Sequence, residues 1–261
     1  MDLGLQGKHV LITGGTRGIG LACARLYLQE GARVALCGRS AASRDAALAS
    51  LEGSGTATAY LADVTDPGAA RALVEEVETQ HGPIDVLVNC AGAASRRPFA
   101  ELDPGAWKAA LDAKFHAYVN VIDPLVKRMA LRSSGAIVNV IGMGGKFPKP
   151  THLAGGSANA ALMLATAGLA TAYAPQGIRI NAVNPSLTVT ERLQEGLVAE
   201  ARLRGVSEEE ALRQASASLP LRRFATAEEV ADVVVYLSSA RASYVSGAIV
   251  NVDGAASAAI V

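Results

Sequence analysis

Apolar residues run through this chain in two rhythms. Short continuous runs rich in Val, Ile, Leu and Ala alternate with longer stretches in which apolar positions recur every three to four residues. The short runs predict strands at His9–Thr13, Arg33–Cys37, Thr56–Leu61, Ile84–Asn89, Ala136–Ile141, Ile178–Val183 and Ala248–Val252. The longer ones predict helices at about 18–30, 42–52, 66–80, 104–131, 156–174 and 226–239. A strand apolar on both faces must be covered on both, as in a parallel sheet flanked by helices. The alternation therefore predicts an α/β fold, a doubly wound seven-stranded parallel sheet with helices on both faces and right-handed crossovers.

No linker, repeat or low-complexity tract divides the 261 residues, so residues 1–261 are expected to form a single domain. The least regular portion is 186–221, where two helical pieces, Glu191–Leu203 and Ser207–Ala217, precede the last helix and strand. An insertion after a strand's carboxyl end lies where such sheets bind ligands. It reads equally as a substrate lid or as a connector.

Charge narrows the choice of partner. Lys+Arg and Asp+Glu both number 24, so no global field draws the chain to nucleic acid or to an anionic membrane. A small-molecule ligand is the better expectation, and no metal site is expected. Cys23, Cys37 and Cys90 are few, odd in number and set in apolar runs, which favours buried thiols in a reducing compartment. The start, MDLGLQGKHVLITGG, lacks a basic region followed by a long apolar run, so a cytoplasmic location is expected. Leu153–Ala174 carries no charge and is long enough to span a bilayer. It also carries Gly155, Gly156, Ser157, Asn159, Thr166, Gly168 and Thr171, a composition that suits a helix buried between protein surfaces.

The most informative stretch is VLITGGTRGIGLACARLYLQ, in which a strand ends at Thr13, glycines follow at Gly14, Gly18 and Gly20, and a helix begins. Glycine permits positive φ and a close backbone approach, and the free N–H groups of a new helix favour a phosphate. Strand, spacing and helix together point to a dinucleotide site.

The G-x-x-x-G-x-G spacing is also where the chain resembles a known family, the short-chain dehydrogenases/reductases in their FabG-like subgroup. The matching pieces are TGGTRGIG (Thr13–Gly20), ADV (Ala62–Val64), NCAG (Asn89–Gly92), GAIVNV (Gly135–Val140), IRINAVNPSLTVT (Ile178–Thr190) and SYVSGAIVNVDG (Ser243–Gly254). The resemblance implies a Rossmann-type sheet. It also implies a nicotinamide cofactor held by Gly14, Thr16, Arg17, Gly18, Ile19 and Gly20, with Asp63 and Val64 beside the adenine. Asn89, Ala91 and Gly92 would flank its centre, and Pro185, Thr188 and Thr190 would lie by the nicotinamide. Cys90 and Ser186 depart from the family's usual Asn or Ser and Gly. A carboxylate at the end of the second strand would bind a ribose 2′-hydroxyl, but that strand ends in Gly38 and Arg39. With Arg17 inside the turn, two guanidiniums meet at this corner and favour NADP(H).

Carbonyl reduction also needs a proton donor and a group to polarise the oxygen. The resemblance implies an Asn-Ser-Tyr-Lys tetrad, yet the four positions fall on Lys114, Gly142, Gly155 and Asn159. None of Tyr27, Tyr60, Tyr118, Tyr173, Tyr236 and Tyr244 has Lys four residues later, so no shift of register restores the pair. Candidates for relocated chemistry are Lys114 first, because a lysine at the Asn position reaches further, then His152, Ser157 and Asn159. Three readings stay open: an NADP(H)-dependent oxidoreductase with relocated groups, non-redox lyase- or isomerase-type chemistry on bound NADP(H), and a cofactor-binding protein without catalysis.

The helix beginning near Gly156 is crowded with alanine and glycine, and the chain ends in small uncharged residues. Faces of this kind allow close approach, and in the family the corresponding elements form subunit interfaces. A homotetramer is expected.

Overall fold

The computed structural model describes all residues except 93–95, 97–98, 192, 194–196, 199–200, 202–203 and 258–261. Its centre is a seven-stranded, wholly parallel sheet in the order β3-β2-β1-β4-β5-β6-β7. The strands are β1 (His9–Thr13), β2 (Arg33–Gly38), β3 (Ala57–Leu61), β4 (Val86–Asn89), β5 (Gly135–Val140), β6 (Ile178–Pro185) and β7 (Ile249–Val252). All seven predicted strands are present, and their ends move by no more than two residues. Central β1 and β4 are buried at every position, whereas edge strands β3 and β7 have no fully buried position. Continuous apolar runs therefore mark the middle of the sheet, where both faces are covered.

The helices are α1 (Gly18–Gln29), α2 (Ala41–Ser50), α3 (Pro67–His81), α4 (Pro104–Leu111), α5 (Ala117–Leu131), α6 (Leu153–Tyr173), α7 (Glu208–Ala217) and α8 (Ala227–Ser238). Their starts follow local chemistry. Ser40, Asp66, Asp103, Ser207 and Thr226 each accept a first-turn backbone N–H, and Thr226 with Glu229 forms a reciprocal capping box. One apolar cluster fills the space between the sheet and α1 and α8, and a second packs α3, α5 and α6 on the opposite face.

Two predicted helices changed. The pattern over 104–131 is broken by a π-helical turn, Asp112–His116, between α4 and α5. Helix α6 starts at Leu153, which places Gly155 and Gly156 inside it. Of the two helical pieces expected in the insertion, Ser207–Ala217 corresponds to α7, and 191–203 lies partly outside the described residues. Among the described residues one stretch, Pro150–Gln176, is long and apolar enough to cross a membrane. It packs against β6 and α4, as a core helix does.

Two polar devices hold the far side of the sheet. The Arg179 guanidinium, carried on β6, donates to the carbonyls of Leu237, Ser238, Ser239 and Val245, which closes the carboxyl end of α8. His9, buried at the start of β1, lies 3.0 Å through Nδ1 from the Gly82 carbonyl. A carbonyl only accepts, so Nδ1 carries the proton. Burial, aided by the nearby Arg33 and His81, holds the His9 pKa below its usual 6.5. The unfolded chain thus binds this proton first as pH falls, and His9's contribution is complete above pH 6.5 and is lost below it. His9→Gln should flatten the fall in melting temperature between about pH 7.5 and 5. Thermal melts showing parallel pH dependences for variant and parent would contradict this account.

Candidate active site

The chain winds outward from β1 to β3, then crosses back to β4, so the carboxyl ends of β1 and β4 splay apart and leave a crevice. Thr13 ends β1, and Gly14, Thr16 and Arg17 form the turn into α1, whose first residues are Gly18, Ile19 and Gly20. Gly14 has φ +63° and Gly18 φ +54°, in the left-handed region. A Cβ on Gly14 would meet the Ala91 backbone at 2.8 Å, and one on Gly20 would meet the Gly14 carbonyl oxygen at 2.4 Å. The turn is therefore pressed against the segment following β4, and α1 against the turn. The Arg17 side chain at the N-cap makes no hydrogen bond to the first N–H groups of α1.

At the outer end of the crevice β2 delivers Gly38 and the exposed Arg39. A Cβ on Gly38 would meet the Thr16 side chain at 2.9 Å, so an acidic residue there would have to displace Thr16. Across from them, Asp63 accepts from the Thr65 backbone N–H and hydroxyl. The Thr65 hydroxyl holds the Asp63 carboxyl below its usual range, and Arg39 adds to the effect. Asn120 of α5 donates to the carbonyls of Val64 and Thr65 and fixes this rim.

Beneath the crevice runs a row of buried polar groups. The Ala91 N–H donates to Thr13 Oγ1, Thr13 Oγ1 to Asn89 Oδ1, Asn89 Nδ2 to Asn139 Oδ1, and Asn139 Nδ2 to Thr166 Oγ1, which in turn donates to the Leu162 carbonyl. Each amide spends both ends, so its orientation is set. On the far wall Pro185 ends β6, and the following segment pairs with Ala225 through Leu187 and Val189. The 186–221 insertion is thereby closed at its base. Thr188 is buried, and Thr190 approaches Gly18, its Cγ2 lying 3.3 Å from where a Gly18 Cβ would be. Arg17 pairs with Glu191 at 3.3 Å, which ties the insertion to the glycine turn.

Past β5 the backbone turns at Gly142, with φ +123° and ψ 150°, a conformation that L side chains rarely adopt. Both polar groups of this residue are held: its N–H donates to Asn184 Oδ1 at 3.2 Å, and its carbonyl accepts from Asn159 Nδ2 at 3.4 Å. The loop then lies against α6, where a Cβ on Gly144 would meet His152 Cδ2 at 2.9 Å and Asn159 Nδ2 at 3.5 Å. A Cβ on Gly156 would strike the Gly144 carbonyl oxygen at 2.7 Å. His152 and Asn159 thus pack against the Gly142–Gly144 turn, and Gly155 is buried on the same helix as Asn159.

The remaining candidates lie elsewhere. Ser157 is exposed and donates to the Leu153 carbonyl one turn back, on the opposite side of α6 from Asn159. Lys114, expected to reach toward a substrate, turns inward. It is 7% exposed and donates to Val140 O at 2.9 Å and Tyr118 Oη at 2.6 Å, with Nζ 4.4 Å from that ring's centroid. The reason is topological: β4 pairs with β5 only as far as Asn89–Asn139, so Val140 extends past the last rung and its carbonyl is capped by the ammonium and the phenol. The lysine precedes the tyrosine by four residues, the reverse of the order sought in the sequence. Asn184, Asn120 and Tyr118 were not singled out there either, because only the register of neighbouring elements brings them to the site.

The family model described as "Enoyl-(Acyl carrier protein) reductase" matches residues 14–256. The 3-oxoacyl-[acyl-carrier-protein] reductase FabG of Thermotoga maritima is 34% identical over 251 residues, 96% of this chain and 98% of its own length. The chain belongs to the short-chain dehydrogenase/reductase family. Among solved structures of this family, L-sorbose reductase from Gluconobacter frateurii, complexed with NADPH and L-sorbose, superposes with a TM-score of 0.93 at 31% identity, covering 100% of both chains. Actinorhodin polyketide ketoreductase with NADPH gives 0.94 at 31% identity, covering 97% of this chain and 98% of that one.

In this short-chain dehydrogenase/reductase the Gly142 turn excludes a side chain by backbone geometry. Gly142→Ser should cost about 1–3 kcal/mol of stability, or force the turn to rearrange. Urea unfolding that gave the variant parental stability, with the Asn159 and Asn184 contacts intact in its crystal structure, would contradict this.

Proposed function

We propose that this protein is an NADP(H)-dependent oxidoreductase acting on a small carbonyl or alcohol substrate, with its proton donor moved from the family's usual tyrosine to His152. The observation that carries this reading is the convergence of His152 and Asn159 on the Gly142–Gly144 turn, where the resemblance places a serine, tyrosine and lysine. The cofactor is NADP(H). The glycine turn at Gly14, Thr16, Arg17, Gly18, Ile19 and Gly20, whose packing leaves no room for Cβ atoms at Gly14 and Gly20, fits a pyrophosphate. Arg39, and Arg17 once released from Glu191, fit a 2′-phosphate beside the acid-free end of β2. Asp63 and Val64 would border the adenine, Asn89, Ala91 and Gly92 the centre, and Pro185, Thr188 and Thr190 the carboxamide.

Bound NADPH supplies the hydride, and this chain's own residues manage the oxygen and the proton. Asn159 Nδ2 offers a hydrogen bond to the substrate oxygen beside Gly142. His152, from the first turn before α6, holds the proton that the developing alkoxide takes up. Lys114 acts from below as a positioning residue, holding the end of β5 through Val140. Ser157 has no part, because its hydroxyl faces away. The insertion 186–221, closed at Leu187–Val189 and Ala225, serves as the lid that excludes water.

A second reading, cofactor binding without turnover, draws on the inward placement of Lys114 and the locked Gly142 turn. NADPH oxidation followed at the nicotinamide absorbance over a carbonyl panel separates the two. Turnover is expected, falling about 100-fold in kcat/KM for His152→Gln, and Arg39→Ala should erase most of the preference for NADPH over NADH. NADPH binding with no oxidation by any carbonyl would favour the second reading.

The assembly we propose is a homotetramer with D2 symmetry. Ser157, Ala160, Leu164, Gly168 and Thr171 form an exposed, uncharged stripe on α6, with Leu164 77% exposed. Tyr236 and Tyr244 expose a second apolar face near the carboxyl end. Light scattering should give four times the 26.7 kDa chain mass, and a monomer would refute the assembly.

A further inference from the structure

Between Asp123 and Glu191 the chain contains no Asp or Glu, while it contains Lys127, Arg128, Arg132, Lys146, Lys149 and Arg179. Four of these cations are spoken for. Lys127 pairs with Asp123, Arg128 with Glu75 and Glu78, and Arg132 with Glu78. Arg179 caps the carbonyls at the end of α8. Lys146 and Lys149 are left, and neither forms an ion pair with any described residue. By contrast, most other lysines of the chain sit in pairs at helical or cross-element spacing: Lys8 with Asp85, Lys108 with Asp112 and Lys127 with Asp123.

The two lysines lie in one loop, the one that leaves the Gly142 turn and returns to His152 and Gly155. Its path is fixed by its backbone. The Lys146 N–H donates to the Met143 carbonyl, the His152 N–H donates to the Lys149 carbonyl, and the Gly144–Gly145 stretch lies against Gly156, Asn159 and Ala160. Lys149 is exposed and Lys146 half-buried, in the loop that joins the Gly142 turn to His152, so neither is sealed inside the protein. The loop thus presents two positive charges and an imidazole, with no acid within it to neutralise them.

We infer that the substrate carries its own anionic group, a carboxylate or a phosphate, which Lys146 and Lys149 hold at the mouth while its carbonyl reaches Asn159 and His152. This rests on the oxidoreductase reading and names its substrate class. Such a handle also makes physical sense of a site whose protein-borne polar groups are few. An anchored anion fixes the distance between the loop and the reacting carbon, so orientation comes from the substrate's charge instead of from a tyrosine and a serine.

The test compares a series of 2-, 3- and 4-oxo acids with their methyl esters, and a phosphorylated hydroxyketone with its unphosphorylated form. For each, kcat/KM with NADPH is measured, together with binding to the NADPH-loaded protein by nicotinamide fluorescence. The charged members should be favoured at least tenfold in one of the two series, which says whether carboxylate or phosphate is the handle. The preference should shrink about five- to tenfold in Lys146→Gln/Lys149→Gln. It should return in Lys146→Arg/Lys149→Arg and weaken as salt is raised. Equal handling of charged and neutral members, or a preference that survives in the double glutamine variant, overturns the inference. Charged members that bind in the lysine-dependent manner without being reduced would leave the inference standing and remove the oxidoreductase reading instead.

Discussion

The buried row from Thr13 through Asn89 and Asn139 to Thr166 ties β1, β4, β5 and α6 together at one level of the sheet. A buried amide with an unmatched donor or acceptor costs about 1–3 kcal/mol, so a row of this kind is stable only when every member is matched. Its members can therefore take one arrangement. That arrangement fixes the Ala91 N–H beside Thr13, and through it the wall against which the glycine turn packs. It also fixes Thr166, one face of α6 and, two turns earlier on the same helix, Asn159. The cofactor crevice and the reaction centre are thus set by one hydrogen-bonded layer rather than by two separate loops.

The reaction centre follows a second constraint, the satisfaction of strand ends. Beyond the last rung between β4 and β5, the Val140 carbonyl and the Gly142 peptide groups would be left without partners in a partly buried place. Lys114 and Tyr118 take the first; Asn184 and Asn159 take the second. A lysine that the sequence alone makes the leading acid is thereby drawn to a structural task. In the function we propose, a histidine in the turn before α6 takes the chemical role instead. Gly142, in a conformation suited only to glycine, belongs to this arrangement and is not a bare vacancy left by another residue.

The electrostatic design of the molecule is divided in the same way. Ion pairs on α3, α4, α5 and at the α8 cap tie part of the charge into local or cross-helix contacts. Among the cations that form no ion pair with a described residue are Arg39, at the adenine end of the proposed site, and Lys146 with Lys149, at its proposed substrate end. Zero net charge in the whole chain therefore coexists with two local positive ends, each suited to an anion.

From the sequence alone, the seven strands, their parallel arrangement and the dinucleotide turn are legible, because each depends on residues adjacent in the chain. Continuous apolar runs mark strands covered on both faces, and glycines spaced 14, 18 and 20 mark a turn that no Cβ fits. The helix over 104–131 was legible as helical but not as interrupted, since the π turn answers to Gly92 and Val140 packed against it from distant parts of the chain. Which way Lys114, Ser157 and Asn159 face was likewise undetermined by spacing. Lys114 and Asn159 turn to the backbone groups left at the end of β5, whose position depends on strand register, while Ser157 is left on the exposed face of α6; only the tertiary structure sets which face is which.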